Sequence, residues 1–336
     1  MNQYGYKAPP DNRRYPYEYP IPQYNPFKQS IKHNANAIGL AVALITVCMH
    51  LFAFPVRNML EFIVPIASPD MLDAIYEIAL AVIYVVSFMI PCVVAIQRLR
   101  MPWNVAFPLR APKADILISA VFIGLGARIL GNVMVDFVVY LVETVTGLVP
   151  VAPQSTSPTD MPTMIVYFVS VAVLPSVFEE GLFRGVALQS LRRFGDGFAL
   201  VVSSILFALM HGNLIQAVYA FPIGLVMGYF VLRTGSVWAG VIIHFINNAA
   251  VVGIEIIDLI ASVEVAQSVW TVFLGFSFLS SIIAIVYLKI RYGNAFAVHP
   301  SHYPLMEAQK YQYFFTSVCV IITLLIAVFQ TAMYFE

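Results

Sequence analysis

The chain contains 336 residues, of which 60% are hydrophobic and 11% are charged, and its formal net charge at pH 7 is zero. An ordinary soluble domain carries about 25% charged residues, so this composition excludes that class and predicts an all-α, polytopic membrane protein. The apolar runs are continuous and about 20 residues long, which excludes a transmembrane β-barrel with alternating strands. The balanced charge gives no electrostatic reason to expect a nucleic-acid partner.

Residues 1–33 form the first predicted region, a tail rich in Tyr, Pro and basic residues. Such a composition cannot bury enough apolar surface to fold, so we predict a disordered cytosolic tail. The remainder divides into three N-terminal spans in residues 34–162, a four-span catalytic core in residues 163–258, and two C-terminal spans in residues 259–336.

Nine apolar segments follow the tail, and we predict each of them to be a transmembrane helix. They lie near residues 35–55, 73–97, 115–143, 163–190, 198–212, 214–233, 236–258, 266–289 and 311–335. Lys and Arg concentrate in alternate connecting loops, which predicts a cytosolic N-terminus. The fifth segment has only about 14 residues, roughly 21 Å of helix, against a hydrocarbon thickness of about 30 Å. The prediction is therefore nine spans, or eight if the fifth or the ninth does not fully cross.

Two adjacent carboxylates, Glu179 and Glu180, lie in the fourth apolar segment together with Arg184. Ionised groups at membrane depth cost roughly 2.5–3.5 kcal/mol each, so such a cluster indicates function. Glu180 and Arg184 are four residues apart and are predicted to pair on one helix face. Glu179 points about 100° away, which leaves it free to act as a general base.

Two histidines on later segments complete the candidate site, since helix lengths predict His211, His244 and Glu179 at one depth near the bilayer centre. His244 and Asn248 project from one helix face and can donate hydrogen bonds to a developing oxyanion. His211 can steer a water molecule held by Glu179. Together these groups supply what peptide hydrolysis needs without a covalent nucleophile. The structural alternatives are a helix–helix ion pair, a satisfied buried histidine and interhelical hydrogen bonding.

A metal site is the alternative chemistry for the same residues. Glu179, His211 and His244 are a plausible zinc ligand set. The short-range His-Glu-x-x-His spacing of many zinc proteases is absent, however, so no cofactor is favoured and zinc remains the alternative.

Three further features predict how the helices pack. Pro175 is predicted to kink the fourth span ahead of the carboxylates. The pairs Gly181–Gly185 and Gly224–Gly228 are predicted to allow close helix approach. In the third span, Arg128 begins a polar stripe that is predicted to line the cavity or to form an ion pair with Glu255 or Asp258 of the seventh span.

These motifs resemble those of the CAAX-protease and bacteriocin-processing (CPBP) family of intramembrane proteases. The family includes type II CAAX prenyl endopeptidases and proteins similar to lysostaphin resistance protein A. Its motif Glu-Glu-x-x-x-Arg matches Glu179, Glu180 and Arg184, Phe-x-x-x-His matches Phe207 and His211, and His-x-x-x-Asn matches His244 and Asn248. The resemblance covers roughly residues 163–255. It implies an eight-helix core with a cavity open to the membrane and the cytosol, water activation by Glu179 with His211, and oxyanion stabilisation by His244 and Asn248.

The leading functional prediction is an intramembrane endopeptidase that hydrolyses a membrane-associated, hydrophobic or lipidated peptide or protein. One alternative is a non-catalytic immunity or binding protein of the same fold, and a further alternative is a transporter. All three are multi-pass integral membrane proteins in contact with the lipid bilayer, and we expect a bacterial cytoplasmic membrane.

Overall fold

A computed structural model describes residues 25–63, 69–153, 158, 160–299 and 301–336. The predicted tail therefore lies largely outside the described residues. Those residues form an all-α bundle, as predicted, with isolated β-bridges in place of strands. The helices are α1 Pro26–Ile63, α2 Pro69–Leu99, α3 Trp103–Ala106, α4 Ala114–Thr146, α5 Met161–Phe168, α6 Leu174–Glu180, α7 Leu188–Leu191, α8 Asp196–Met210, α9 Leu214–Thr234, α10 Val237–Ile260, α11 Val263–Tyr292, α12 Glu307–Phe315 and α13 Val318–Ala332.

Seven continuous helices in the described part of the chain are long and apolar enough to cross a membrane, which establishes a multi-pass membrane protein. They are Pro26–Val56, Met71–Leu99, Ala114–Thr146, Met161–Phe194, Leu214–Thr234, Val237–Ile260 and Val263–Tyr292. Helices α12 and α13 together reach the same length but are bent by 70°, and they make an eighth span if counted as one. The preferred count of nine full crossings is not reached, because α8 has only 15 residues.

The first helix begins earlier than predicted. Helix α1 starts at Pro26, so residues 26–33, assigned above to the tail, are helical. Asn25 Oδ1 accepts hydrogen bonds from the backbone amides of Phe27 and Lys28, both at 3.0 Å. An Asn cap followed by Pro at the first helical position is a strong helix start, and it extends the helix into polar sequence.

The two ends of the described chain lie at opposite ends of the bundle. At the start of α1, His33 Nε2 lies 3.2 Å from the Arg98 carbonyl oxygen, beside the loop that leads into α4. At the far end of α4, Val149 and Glu336 exchange backbone hydrogen bonds of 3.0 and 3.1 Å. The chain therefore leads from one end of the bundle to the other, and α8 contributes to this path although it is shorter than a full membrane crossing.

The fourth span is not a uniform α-helix. Two π-helical segments, Val169–Val173 and Gly181–Ala187, flank α6, and Pro175 lies in the first turn of α6. A π-helical turn shifts the register of the side chains that follow it and often marks a functional site. Glu179 and Glu180 are the last two residues of α6, immediately before the second π-helical segment.

Glycines bring the core helices close together, as the small-residue pairs predict. A Cβ added at Gly185 would lie 2.8 Å from the Ala106 carbonyl oxygen, and one at Gly228 would lie 2.7 Å from Leu200 Cδ1. Both distances are too short for real contacts. At Gly185 the neighbour is backbone and glycine is required, whereas at Gly228 the end of the Leu200 side chain would have to move. Gly181 is the exception, because its Cβ would make an ordinary 3.5 Å contact with Phe107.

The crossing of α1 and α13 gives a test of this packing. A Cβ at Gly39 would lie 2.7 Å from the Val320 amide nitrogen, which is backbone and cannot move alone. We expect Gly39→Ala to lower the free energy of unfolding by about 1–3 kcal/mol. Denaturant unfolding in detergent measures the change. Gly275→Ala is the matched control, since a Cβ there meets no atom within 4 Å; equal effects of the two substitutions would contradict the packing argument.

Candidate active site

The centre of the site is the ion pair of Glu180 and Arg184. Arg184 Nη1 donates to Glu180 Oε1 at 2.6 Å, and both side chains are fully buried. The predicted pairing at a spacing of four residues is confirmed. A hydrogen bond between two charged groups in an apolar surrounding is among the strongest that a protein makes.

Arg184 also joins three elements of the bundle. Its Nη2 donates to the Gly224 carbonyl oxygen of α9 at 3.0 Å, and its guanidinium lies 4.2 Å from the ring centroid of Phe207 on α8. The Phe207 ring in turn makes edge-to-face contacts with His211 at 5.2 Å and with His244 at 5.8 Å. One aromatic ring therefore touches the arginine and both candidate histidines.

His244 binds the carboxylate that holds the arginine. Its Nδ1 lies 3.2 Å from Glu180 Oε1, the same oxygen that accepts from Arg184. The imidazole is buried, with 6% of the residue exposed. Because a partner on one ring nitrogen fixes the ring, Nε2 remains for a second partner.

Glu179 has a separate environment, as the helix geometry predicts. The Tyr84 hydroxyl of α2 donates to its Oε1. Its Oε2 is buried and has no hydrogen-bond partner in the described residues. The structure thus holds Glu180 in an ion pair and Glu179 in a hydrogen bond with a tyrosine, and the second oxygen of each carboxylate is buried without a partner in the described residues.

Tyr84 is a site residue that the motif analysis missed. It lies 95 positions before Glu179, in a segment assigned above only to the scaffold. The signal was present in its residue type, because a tyrosine within an apolar span needs a partner for its hydroxyl.

His211 and Asn248 have other partners in this structure. His211 Nδ1 lies 3.0 Å from the Phe207 carbonyl oxygen of its own helix, and Asn248 Nδ2 donates to the Val171 carbonyl oxygen at 3.0 Å. Val171 belongs to the first π-helical segment. Among the described residues, no hydrogen bond joins either side chain to Glu179, so their catalytic roles stay predictions.

The alternative of a zinc site concerns Glu179, His211 and His244. Within the described ranges, no group of three or more His, Cys, Asp or Glu side chains is placed to hold a metal ion. This finding includes the set of Glu179, His211 and His244. These residues do not fit a zinc ion in this arrangement.

A large apolar cavity lies beside the carboxylates. Its volume is about 490 Å³. Its walls come from α2, α3, the loop after α3, the fourth span and α10, and almost all of their surface is apolar. They comprise Phe88, Met89, Cys92, Val93, Trp103, Phe107, Leu109, Val177, Phe178, Gly181, Val237, Trp238 and Val241. The cavity therefore suits a hydrophobic chain next to the acidic residues.

Arg128 differs from the expectation of an ion pair with Glu255 or Asp258. It is buried, and its Nε donates to Asn247 Oδ1 at 2.7 Å, while its Nη2 donates to the Asn247 carbonyl oxygen. The guanidinium also lies 5.2 Å from the ring centroid of Trp270. An amide and aromatic rings replace the expected carboxylate, and the contact fixes α4 against α10 next to Asn248.

The segment that carries these side chains is similar to a known protein family. Residues 161–250 match the family model of the type II CAAX prenyl endopeptidase Rce1-like proteins. Over this segment the chain is similar to the CAAX protease family. The match contains every residue of the three motifs and supports a peptidase, whereas α1, α2, α4 and α11 to α13 lie outside it. No curated protein and no solved structure matches the chain.

The buried ion pair can be tested against an exposed one of the same spacing. Arg184→Ala leaves the Glu180 carboxylate without its charged partner, and we expect the free energy of unfolding to fall by about 3–5 kcal/mol. Arg192→Ala removes a similar pair with Asp196 in which the arginine side chain is 39% exposed. That control should change stability by no more than about 0.5 kcal/mol. A loss of the same size in both variants would show that the burial of Arg184 is unimportant.

Gly240 makes room for Glu180, which gives a second test. A Cβ at Gly240 would overlap Glu180 Oε2, whereas one at Gly253 on the same helix would meet no atom within 4 Å. We expect Gly240→Ala to destabilise the protein by about 1–3 kcal/mol, since the carboxylate must shift. Thermal unfolding in detergent, compared with Gly253→Ala, measures the effect. Wild-type stability of Gly240→Ala would mean that Glu180 does not occupy this position.

Proposed function

We propose that the protein is an intramembrane endopeptidase that cleaves a hydrophobic or lipidated peptide or protein with water activated by Glu179. The observation that carries this proposal is the state of the Glu179 carboxylate. One oxygen is held by Tyr84, the other is buried without a partner, and an apolar cavity lies beside it. A buried carboxylate with a free oxygen beside a substrate-sized cavity is suited to bind and deprotonate water.

In the proposed reaction, water and the peptide are the only reactants. Glu179 removes a proton from water while the water oxygen attacks the carbonyl carbon of the peptide bond. The tetrahedral intermediate then collapses, the carbon–nitrogen bond breaks, and the proton on Glu179 passes to the leaving amine. The first products are a carboxylic acid and an amine, and Glu179 returns to its ionised form. The acid then gives its proton to the amine, so that a carboxylate and an ammonium group leave.

In this proposal, His244 and Asn248 stabilise the tetrahedral intermediate, and His211 acts on the water. His244 is held through Nδ1 by Glu180, which leaves Nε2 to face the oxyanion. The amide of Asn248 carries two hydrogens, so it can bind the Val171 carbonyl oxygen and still donate to substrate. His211, anchored to the end of α8, orients the attacking water. Such preorganised donors are often the largest contribution to acyl-transfer catalysis.

The cavity supports the proposal of a hydrophobic substrate. Its walls are apolar and include Trp103 and Trp238, which are 59% and 43% exposed on the face of the bundle. A hydrophobic segment can therefore enter from the bilayer with its apolar part in the cavity and its scissile bond near Glu179. A lipid attached to the peptide would occupy the same space.

We place the start of α1 on the cytosolic side of a cytoplasmic membrane. The end of the bundle near that helix start carries basic residues such as Lys28, Arg98, Arg193 and Arg233, as the distribution of positive charge on cytoplasmic loops requires.

Replacement of the proposed base tests the function. Purified protein in liposomes is mixed with fluorescence-quenched hydrophobic peptides, with and without an attached lipid. We expect Glu179→Gln to lower the rate of cleavage by about 10²- to 10⁴-fold, because the amide cannot accept the proton. Glu264→Gln, which removes an exposed carboxylate in the first turn of α11, should cleave at the wild-type rate.

Three outcomes would replace this proposal. Equal cleavage by wild type and Glu179→Gln would remove Glu179 from the mechanism. Loss of activity in a chelator, restored by added zinc, would replace carboxylate activation by a metal mechanism. If the wild type cleaves nothing, a binding function for the same cavity takes its place.

A further inference from the structure

We propose that Tyr84 is a positioning residue that fixes Glu179 for catalysis and links it to the substrate cavity. The inference rests on the proposed peptidase function and adds a residue to it. Tyr84 lies on α2, outside residues 161–250, so neither the three motifs nor the family match assigns it a role.

The Tyr84 ring is held in place before any substrate binds. It stacks on Phe88 of the same helix, with ring centroids 4.7 Å apart and an interplanar angle of 29°. Phe88 is 1% exposed and forms part of the cavity wall. A stacked ring has little rotational freedom, so its hydroxyl reaches Glu179 Oε1 from a fixed direction.

The hydrogen bond decides which oxygen of Glu179 remains available. Glu180 already engages the nearby nitrogen groups, since Arg184 and His244 both contact its Oε1. Within the described residues, Tyr84 donates the hydrogen bond that Glu179 accepts, and without it neither oxygen of the carboxylate would have a partner there. An unpaired buried carboxylate is costly and would turn toward another donor. Tyr84 thus keeps Oε1 occupied and Oε2 directed to water.

The same contact connects the base to the substrate. Helix α2 supplies Tyr84 to Glu179 and supplies Phe88, Met89, Cys92 and Val93 to the cavity wall. The helix that contacts a bound substrate is therefore the helix that orients the base. Correct orientation of a reacting group accounts for a large part of enzymatic rate enhancement.

A structural role and a positioning role predict different kinetics. If the hydroxyl only satisfies a buried polar group, Tyr84→Phe would change stability and leave kcat unchanged. If it positions Glu179, kcat falls while KM stays the same, because the phenyl ring still stacks on Phe88 and still supports the cavity wall.

The experiment uses the full chain in liposomes and the quenched peptide that the wild type cleaves fastest. We expect Tyr84→Phe to lower kcat by about tenfold to hundredfold, the value of one hydrogen bond to a charged group, with KM within about twofold. Tyr76→Phe is the matched control, since Tyr76 lies on the same helix and is 46% exposed. It should leave both constants unchanged. In the Glu179→Gln background, Tyr84→Phe should cause no further loss, because its effect acts through Glu179.

The outcomes separate the inference from the proposed function. Wild-type kcat in Tyr84→Phe, together with loss of activity in Glu179→Gln, would overturn the role of Tyr84 alone. A further loss in the Glu179→Gln background would overturn it as well. A wild type that cleaves no peptide overturns both. If Tyr84→Phe fails to fold, trifluorotyrosine at position 84 keeps the shape and changes hydroxyl acidity; an unchanged kcat would then refute the inference.

Discussion

The buried ion pair of Glu180 and Arg184 is the interaction on which the site depends. Neither charge can remain alone in the apolar bundle, because the desolvation of an isolated ion costs several kcal/mol. The pair is inaccessible to solvent, and it receives further support from the Gly224 carbonyl oxygen and the Phe207 ring. The requirement to satisfy one arginine therefore determines how the fourth span, α8 and α9 meet.

The pair also explains how two neighbouring carboxylates acquire different environments. Glu180 uses one oxygen for both Arg184 and His244, and its second oxygen lies against the bare backbone of Gly240. Glu179 points to α2 and meets a single hydroxyl. Adjacent residues on a helix face different neighbours, so a doublet of acids can supply an anchor and a reactive group from one turn. The division needs no difference in residue type, only in partners.

The parts of this arrangement that are local in sequence were predictable. The contact between Glu180 and Arg184 follows from helix geometry, and the apolar segments follow from hydropathy. The capped start of α1 also depends on neighbouring residues, Asn25 and Pro26. The prediction missed it because the surrounding Tyr- and Pro-rich composition is typical of a disordered tail.

Contacts between distant segments were not predictable in the same way. The hydroxyl of Tyr84 and the amide of Asn247 are satisfied by residues about a hundred positions away. The hydrogen bond from Asn248 to the Val171 carbonyl oxygen depends on a π-helical segment. A sequence pattern with a period of 3.6 residues does not reveal the shifted register of such a segment. In each case the residue type indicates that the side chain needs a hydrogen-bond partner. Which residue serves as the partner is determined by the packing of the helices.

The position of Tyr84 on α2 has a consequence for how such a reaction centre is inherited. The segment that carries the motifs does not contain all the contacts of its site, because Tyr84 from the N-terminal half donates a hydrogen bond to Glu179. Exchange of that segment between homologous chains would transfer Glu179 and Arg184 together. The Tyr84 hydroxyl would not be transferred with them. Recombination in this fold is thus constrained by a contact that crosses the boundary of the recognisable module.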